Sequence, residues 1–188
     1  MRLSFKGGIH PLRETHGGKG ESKDKAIKPL LPASVCIPVD MHIGAPSAPC
    51  VAKGDKVKLG QVIATPVGGI GIPVHASVSG EVISVGPRQM LNKLPSICIE
   101  IANDHQDEWV ELHGLGEIES VPVDQIIRAV RDAGICGLGG ACFPTHAKMS
   151  IPEGKTVDTV ILNGAECETY LTSDHRLMLE EPGRIVDG

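Results

Sequence analysis

Short apolar runs broken by frequent turns dominate residues 35–102, and that rhythm constrains the fold more than any other feature. Val35-Cys36-Ile37-Pro38-Val39 reads as a short strand. Lys53 to Ala64 reads as turn, strand, turn, strand, with Gly54-Asp55 supplying the turn chemistry. Val74, Ala76 and Val78 alternate with polar or small residues. Ser79-Gly80-Glu81 turns, and Val82 to Val85 and Ile97 to Ile101 close the set. Strands this short between turns this frequent predict a small sandwich or barrel. Gly (23) and Pro (14) are abundant but aperiodic, which excludes collagen, and 41% hydrophobic residues suffice for a core.

The flanks differ. Residues 1–34 are polar and Lys/Gly-rich, an extended arm in which Gly7-Gly8-Ile9-His10-Pro11 is turn-rich. Residues 103–121 are acidic and read as a linker. From 122 to 188 the grammar is that of an incomplete α/β nucleotide-binding domain. Val123, Ile126, Ile127, Val130 and Ala133 share a helical face, and Gly134 ends the helix. A Gly-rich loop follows at 137–140. Val157 to Leu162 reads as a buried strand ended by Asn163-Gly164. Thr172 or Ser173 opens a helix running to Glu180, interrupted by Pro182-Gly183. The fold class expected is therefore an α+β two-module chain.

Several functions are excluded. A net charge of −5, one Trp, one Tyr and two Phe suit neither a basic nucleic-acid footprint nor a base-stacking platform. No apolar run reaches the ~18–20 residues of a membrane span, and Met1 to His10 lacks a signal core. The six Cys contain no C-x-x-C pair and the eight His no ligand spacing, so free thiols and no metal site are expected. Cys136, Cys142 and Cys167 gather near the loops described next and are read as lining residues.

Two loops carry the chemistry. In Cys136-Gly137-Leu138-Gly139-Gly140-Ala141-Cys142-Phe143-Pro144, three glycines let the backbone approach a ligand, and exposed N–H groups can cradle phosphate. A plain turn is the competing reading. The loop is neither a dinucleotide fingerprint, because Cys142 stands where the last Gly is needed, nor a P-loop. Asn163-Gly164-Ala165-Glu166-Cys167-Glu168 follows the expected strand, where α/β sheets form ligand crevices. Its two carboxylates suit a ribose, an amide or an isoalloxazine edge, and a solvated acidic turn is the alternative. Lys148 lies between the loops in sequence and can neutralise a phosphate or a reduced flavin.

Residues 51–85 resemble the barrel-sandwich hybrid fold of biotinyl and lipoyl domains, through Lys53-Gly54-Asp55-Lys56-Val57 and Pro73-Val74-His75-Ala76 to Val82. Carriers attach their cofactor to a hairpin Lys between such segments. Here no Lys follows Lys58 until Lys93, so the likeness is one of fold, with a structural or docking role. Gly137 to Lys148 and Asn163 to Glu168 together resemble the FMN-holding, NADH-oxidising flavoprotein subunit of respiratory complex I. More narrowly, the chain resembles the RnfC family, the C subunit of the Rnf electron transport complex. The further residues that carry this are Lys6-Gly7-Gly8-Ile9-His10-Pro11, His42-Ile43-Gly44-Ala45-Pro46 and Thr172-Ser173-Asp174-His175-Arg176.

This resemblance implies a peripheral subunit on the cytoplasmic face of a bacterial inner membrane. Its partners would be the other subunits of an Rnf-type complex, with ferredoxin indirectly and no nucleic acid. The complex exchanges electrons between ferredoxin and NAD, coupled to ion translocation. It implies FMN and NAD(H) in the full-length oxidoreductase, and two 4Fe-4S clusters beyond residue 188. A fragment of this length is expected to be soluble, inactive alone and without tightly bound cofactor. FMN contacts carry over to Gly137, Gly139, Gly140, Ala141, Lys148, Asn163 and Glu166, and positions near the nicotinamide to Phe143 and Glu168. Ala165 stands where the complex I pattern has Asp, which bears on one polar flavin contact, and Thr169 where the family usually has Pro. A non-catalytic docking module and a soluble electron-transfer protein serving an amino-acid reductase are the alternatives.

Overall fold

The structure, a computed structural model, describes residues 18–90 and 94–188. The Lys6–Pro11 motif, His10 and His16 lie outside the described residues. The described residues fall into two compact units: one within Leu31–Thr156, the other of residues 18–30 with Val157–Gly188.

The first unit is built on two antiparallel sheets. One has the order β1 (Ser34–Pro38), β7 (Ser96–Asn103), β6 (Gly80–Arg88), β3 (Lys56–Val57). The other has the order β2 (Ala48–Pro49), β4 (Val62–Thr65), β5 (Val74–His75). The period of two expected of half-buried strands is plain in β7, where Ile99 and Ile101 are fully buried on one side and Glu100 faces the other. A register shift between Val62 and Ala64 breaks that period in β4, and there the consecutive Ile63 and Ala64 are both fully buried. With Ile37, Val57, Val74, Val78 and Val82 they form one core.

The Ser79-Gly80-Glu81 segment is expected as a turn, yet Gly80 and Glu81 already belong to β6. Gly80 has φ +150°, and a β-carbon there would sit 1.8 Å from the Ala102 carbonyl oxygen. Only glycine lets β6 start this close to β7. The acidic segment is partly stitched to the sheets. Leu59 N–H donates to the Glu108 carbonyl (2.8 Å), Val110 N–H to that of Leu59 (3.0 Å), and Ser79 Oγ to Asp104 (2.7 Å).

Helix α1 (Val123–Asp132) forms as its spacing predicts, with Ile126, Ile127 and Val130 half-buried. It ends in a Schellman motif. Gly134 (φ +70°) donates to Arg131 (2.9 Å) and Ile135 to Val130 (3.3 Å). A β-carbon on Gly134 would lie 2.7 Å from the Pro73 carbonyl and 2.9 Å from His75 Nδ1. The missing side chain thus lets the helix end press on β5. Helix α2 (Thr145–Met149) follows the Gly-rich loop.

In the second unit, α3 (Ser173–Glu180) and α4 (Pro182–Asp187) meet the expected break at Pro182. The strand expected at 157–162 is not formed. The segment pairs with no strand among the described residues, and Val160 and Ile161 are 92% and 85% exposed. An apolar run of this kind becomes a buried strand only when neighbours cover its edges and faces.

Candidate functional site

The nine residues expected at the site fall in both units, six in the first and three in the second, and each set is described where it lies. The Gly-rich loop is pinched at its neck. Cys136 and Pro144 form an antiparallel bridge, Gly137 N–H donates to the Phe143 carbonyl (2.9 Å), and Thr145 N–H to that of Ile135 (3.0 Å). Pro144 is fully buried and anchors the neck. At the tip, Cys142 N–H donates to Gly139 (3.1 Å) in a tight turn that puts Cys142 at φ +44°. The amides of Leu138, Gly139, Gly140 and Ala141 have no hydrogen-bond partner among the described residues. Leu138 is 96% exposed, and the side of Gly140 where a β-carbon would project is open space.

Lys148, on the first turn after the loop, brings its ammonium to 3.1 Å from where a Gly137 β-carbon would be. Bare backbone and one cation thus meet at Gly137, and the unpaired donors of Leu138 to Ala141 follow it in the loop. Phe143 is 37% exposed, and it is its carbonyl that closes the neck on the Gly137 N–H.

Two histidines in this unit exceed what spacing reveals. His75, half-buried, is held neutral by desolvation against a hydrogen bond to the Asp132 backbone. His146 Nδ1 is buried with no partner among the described residues, and desolvation lowers its pKa too, the nearby Arg131 adding. His75 also lines a mostly apolar crevice of about 270 Å³ with Met41, His42, Ile72, Gly134 and Cys136. The only sequence signal for it is the Pro73-Val74-His75-Ala76 stretch. Among the described residues no three of His, Cys, Asp and Glu converge as a metal site would require.

In the acidic loop, the three expected residues differ in what they do. Asn163 Oδ1 accepts the Ala165 N–H (3.0 Å) and shapes the turn. Glu166 accepts the His175 N–H (3.0 Å) and the Ser173 hydroxyl (3.3 Å). It therefore caps α3, where Thr172, the residue at the cap position, makes no side-chain bond. The His175 amide, with the Lys19 ammonium and Ser173 hydroxyl adding, holds Glu166 below the usual carboxylate range. Glu168 keeps an exposed carboxylate without a partner among the described residues. Its backbone carbonyl accepts the Leu171 N–H (3.2 Å).

The fold and the loop define a class: a β module of barrel-sandwich type followed in sequence by a Gly-rich loop whose unpaired amides suit a phosphate-bearing ligand. Residues 3–106 match the RnfC barrel sandwich hybrid domain, and residues 130–188 the Nuo51 FMN-binding domain. The chain belongs to the RnfC family. It is 45% identical over 186 residues to the C subunit of the Na(+)-translocating ferredoxin:NAD(+) oxidoreductase complex of Acetobacterium woodii, covering 98% of this chain and 41% of that protein. It is 43% identical over 195 residues to the proton-translocating counterpart of Clostridium ljungdahlii, covering 100% and 41%. To the C subunit of the ion-translocating oxidoreductase complex of Pseudomonas aeruginosa it is 40% identical over 154 residues, covering 81% and 20%. The chain thus spans 41% or less of each of these curated relatives.

The donor set fits FMN in kind. Unpaired amides beside an ammonium suit its phosphate and its carbonyl-bearing edge, and a free carboxylate suits N–H and hydroxyl groups. No helix among the described residues is long and apolar enough to cross a membrane.

Proposed function

We propose that this chain is the N-terminal portion of a peripheral subunit in a membrane-bound ferredoxin:NAD oxidoreductase complex, where it supplies part of an FMN site exchanging electrons with NAD(H). The observation that carries this reading is the run of four unpaired amides at Leu138–Ala141, next in sequence to Gly137 where the Lys148 ammonium approaches, inside the segment that matches an FMN-binding domain.

FMN held by these residues would supply redox chemistry that links two-electron hydride exchange with a nicotinamide to one-electron transfer. The amides of Leu138 to Ala141 bind, and the Gly137 and Gly140 backbones allow close approach. Lys148 places a positive charge where anionic groups gather. Phe143, exposed at the end of the loop, offers its ring to the nicotinamide side. Glu166 holds α3 at the foot of the acidic loop, and Glu168 offers its carboxylate to the nicotinamide side. The β module holds the loop through the contact of Gly134 with Pro73 and His75. The physiological partners are the complex's other subunits, with ferredoxin reached through iron–sulfur groups elsewhere in the protein. The working location is the cytoplasmic face of the membrane.

Titration of the full-length protein with FMN and NADH tests the reading. Wild type takes up one FMN per chain and oxidises NADH. Glu168→Gln keeps the flavin and raises the KM for NADH by about tenfold, the scale of one lost hydrogen bond to a charged group. Wild-type protein that binds neither FMN nor NADH sinks the assignment.

A further inference from the structure

The segment before the β module is tied to the acidic loop, some 150 residues further along the chain. Residues 19–25 wind into a compact turn: Lys23 N–H donates to the Lys19 carbonyl (3.0 Å) and Lys25 N–H to that of Ser22 (3.0 Å). From this turn the Lys19 ammonium donates to the Leu171 carbonyl, and Ser22 Oγ reaches the Tyr170 carbonyl (3.4 Å). Contacts return from α3. Arg176 Nη1 donates to the Lys23 carbonyl (3.3 Å), and the Ile27 N–H donates to the Glu180 carboxylate (3.2 Å). Arg176 and Glu180 pair with each other on the same helix, both side chains largely covered.

These bonds fall on the residues that follow the acidic loop in sequence and on α3. They hold the carbonyls of Tyr170 and Leu171, and Leu171 in turn closes the loop by donating to the Glu168 carbonyl. The Lys19 charge also helps, after the His175 amide, to lower the pKa of Glu166, the carboxylate that caps α3. The consequence is a division of labour. Glu166 is turned into α3 and Leu171 is held by the segment, while the Glu168 carboxylate has no partner among the described residues.

We propose that Lys19 is a positioning residue of the NAD(H) site: by holding the Leu171 carbonyl, it fixes the acidic loop so that Glu168 is displayed. This rests on the reading that the acidic loop serves an FMN–NAD(H) site. It assigns residues 18–30, which fall within the span matching the barrel domain, to the nucleotide-handling apparatus instead.

The test compares full-length wild type with Lys19→Ala, Lys19→Arg and Lys25→Ala. Lys25 lies in the same turn, where the one ion-pair partner of its ammonium among the described residues is Glu21, at 4.0 Å. Amide hydrogen exchange and steady-state NADH oxidation with an artificial one-electron acceptor are read on each. Lys19→Ala is expected to speed exchange over residues 166–175 while β1 to β7 stay as in wild type. It is also expected to raise the KM for NADH about threefold or more, with kcat and flavin content little changed. Lys19→Arg, which keeps both charge and donor, restores both readings, and Lys25→Ala leaves them unmoved. Should Lys19→Ala fail to fold, Ser22→Ala removes the neighbouring tie and is read the same way. Wild-type KM in Lys19→Ala overturns the inference, as does faster exchange without a change in KM, which would leave Lys19 a structural tie only. Failure of the functional reading shows separately, as wild type that holds no flavin and oxidises no NADH, and the positioning role falls with it.

Discussion

The β module and the segment from Val157 onward contain similar apolar residues and treat them in opposite ways. Among the described residues every buried Ile and Val lies between Ile37 and Ile101. From Val157 on, the one buried residue is Thr172, while Val160, Ile161, Leu162 and Val186 are largely exposed. An antiparallel sandwich folds its own apolar face shut with strands that follow one another closely. An α/β unit draws the two edges and two faces of each strand from distant parts of a chain. Apolar content alone therefore does not say where a core is.

The sharpest way to break this contrast is to truncate the same residue type on each side. Ile101 is fully buried among Ile37, Val82 and Ile99. Ile101→Ala is expected to cost about 2–5 kcal/mol, read as a fall in the denaturant midpoint. Ile161 is 85% exposed, and Ile161→Ala is expected to change stability by no more than about 0.5 kcal/mol. Equal losses at the two sites would show a second core that the fold does not contain.

What is legible in the sequence follows the same line. β1, β6 and β7 are readable because a period of two needs only neighbouring residues, and α1 because a 3.6 period and its closing Gly134 are local too. Gly137 and Lys148 belong to one loop-and-helix unit and do meet there. The run at 157–162 misleads because its apolar residues say nothing of whether partners are present. The sequence points to Thr172 or Ser173, at the usual position, as the cap on α3. The structure uses Glu166, whose carboxylate reaches the His175 amide from nine residues upstream. No short spacing rule holds that information, nor the bond from Lys19 to Leu171. Gly80 is legible as a turn residue, whereas its reason for being glycine, the Ala102 carbonyl, lies across the sheet.

Acid separates the two units by window. His75 and His146 are held neutral by burial in the first unit, so their folded pKa values lie below the ordinary 6.5. As pH falls through 6.5 the unfolded chain takes up protons first, and that unit loses stability until the folded pKa values are reached. Glu166 in the second unit has a folded pKa below the ordinary 4.5. Its contribution is intact above 4.5 and is lost only as pH falls further. Hydrogen exchange corrected for intrinsic rates is expected to show α1 and β5 loosening as pH falls below 6.5, while α3 holds until pH falls below 4.5. His75→Gln is expected to flatten the first response and leave the second. Loosening of α3 above about pH 5 would mean that Glu166 does not carry the cap.

The smallest effect concerns the thiols and sharpens the same comparison at single atoms. Cys98 lies on β7, 1% exposed, near Met90 Sδ (3.8 Å) and the Cys36 thiol. Burial, with Cys36 and Asp40 adding, pushes its pKa up to about 11. The thiolate is the species that alkylates, so at about pH 8 only about one Cys98 in a thousand is reactive at any moment. Cys167 on the acidic loop is exposed. Iodoacetamide at about pH 8 is therefore expected to label Cys167 in the folded chain, and Cys98 only once denaturant opens the sheet, with site-resolved mass spectrometry as the readout. Labelling of Cys98 at the rate of Cys167 would mean that the outer face of β7 opens without unfolding. The cover that Met90 gives it would then be transient, and the β module would be closed on its inner face alone.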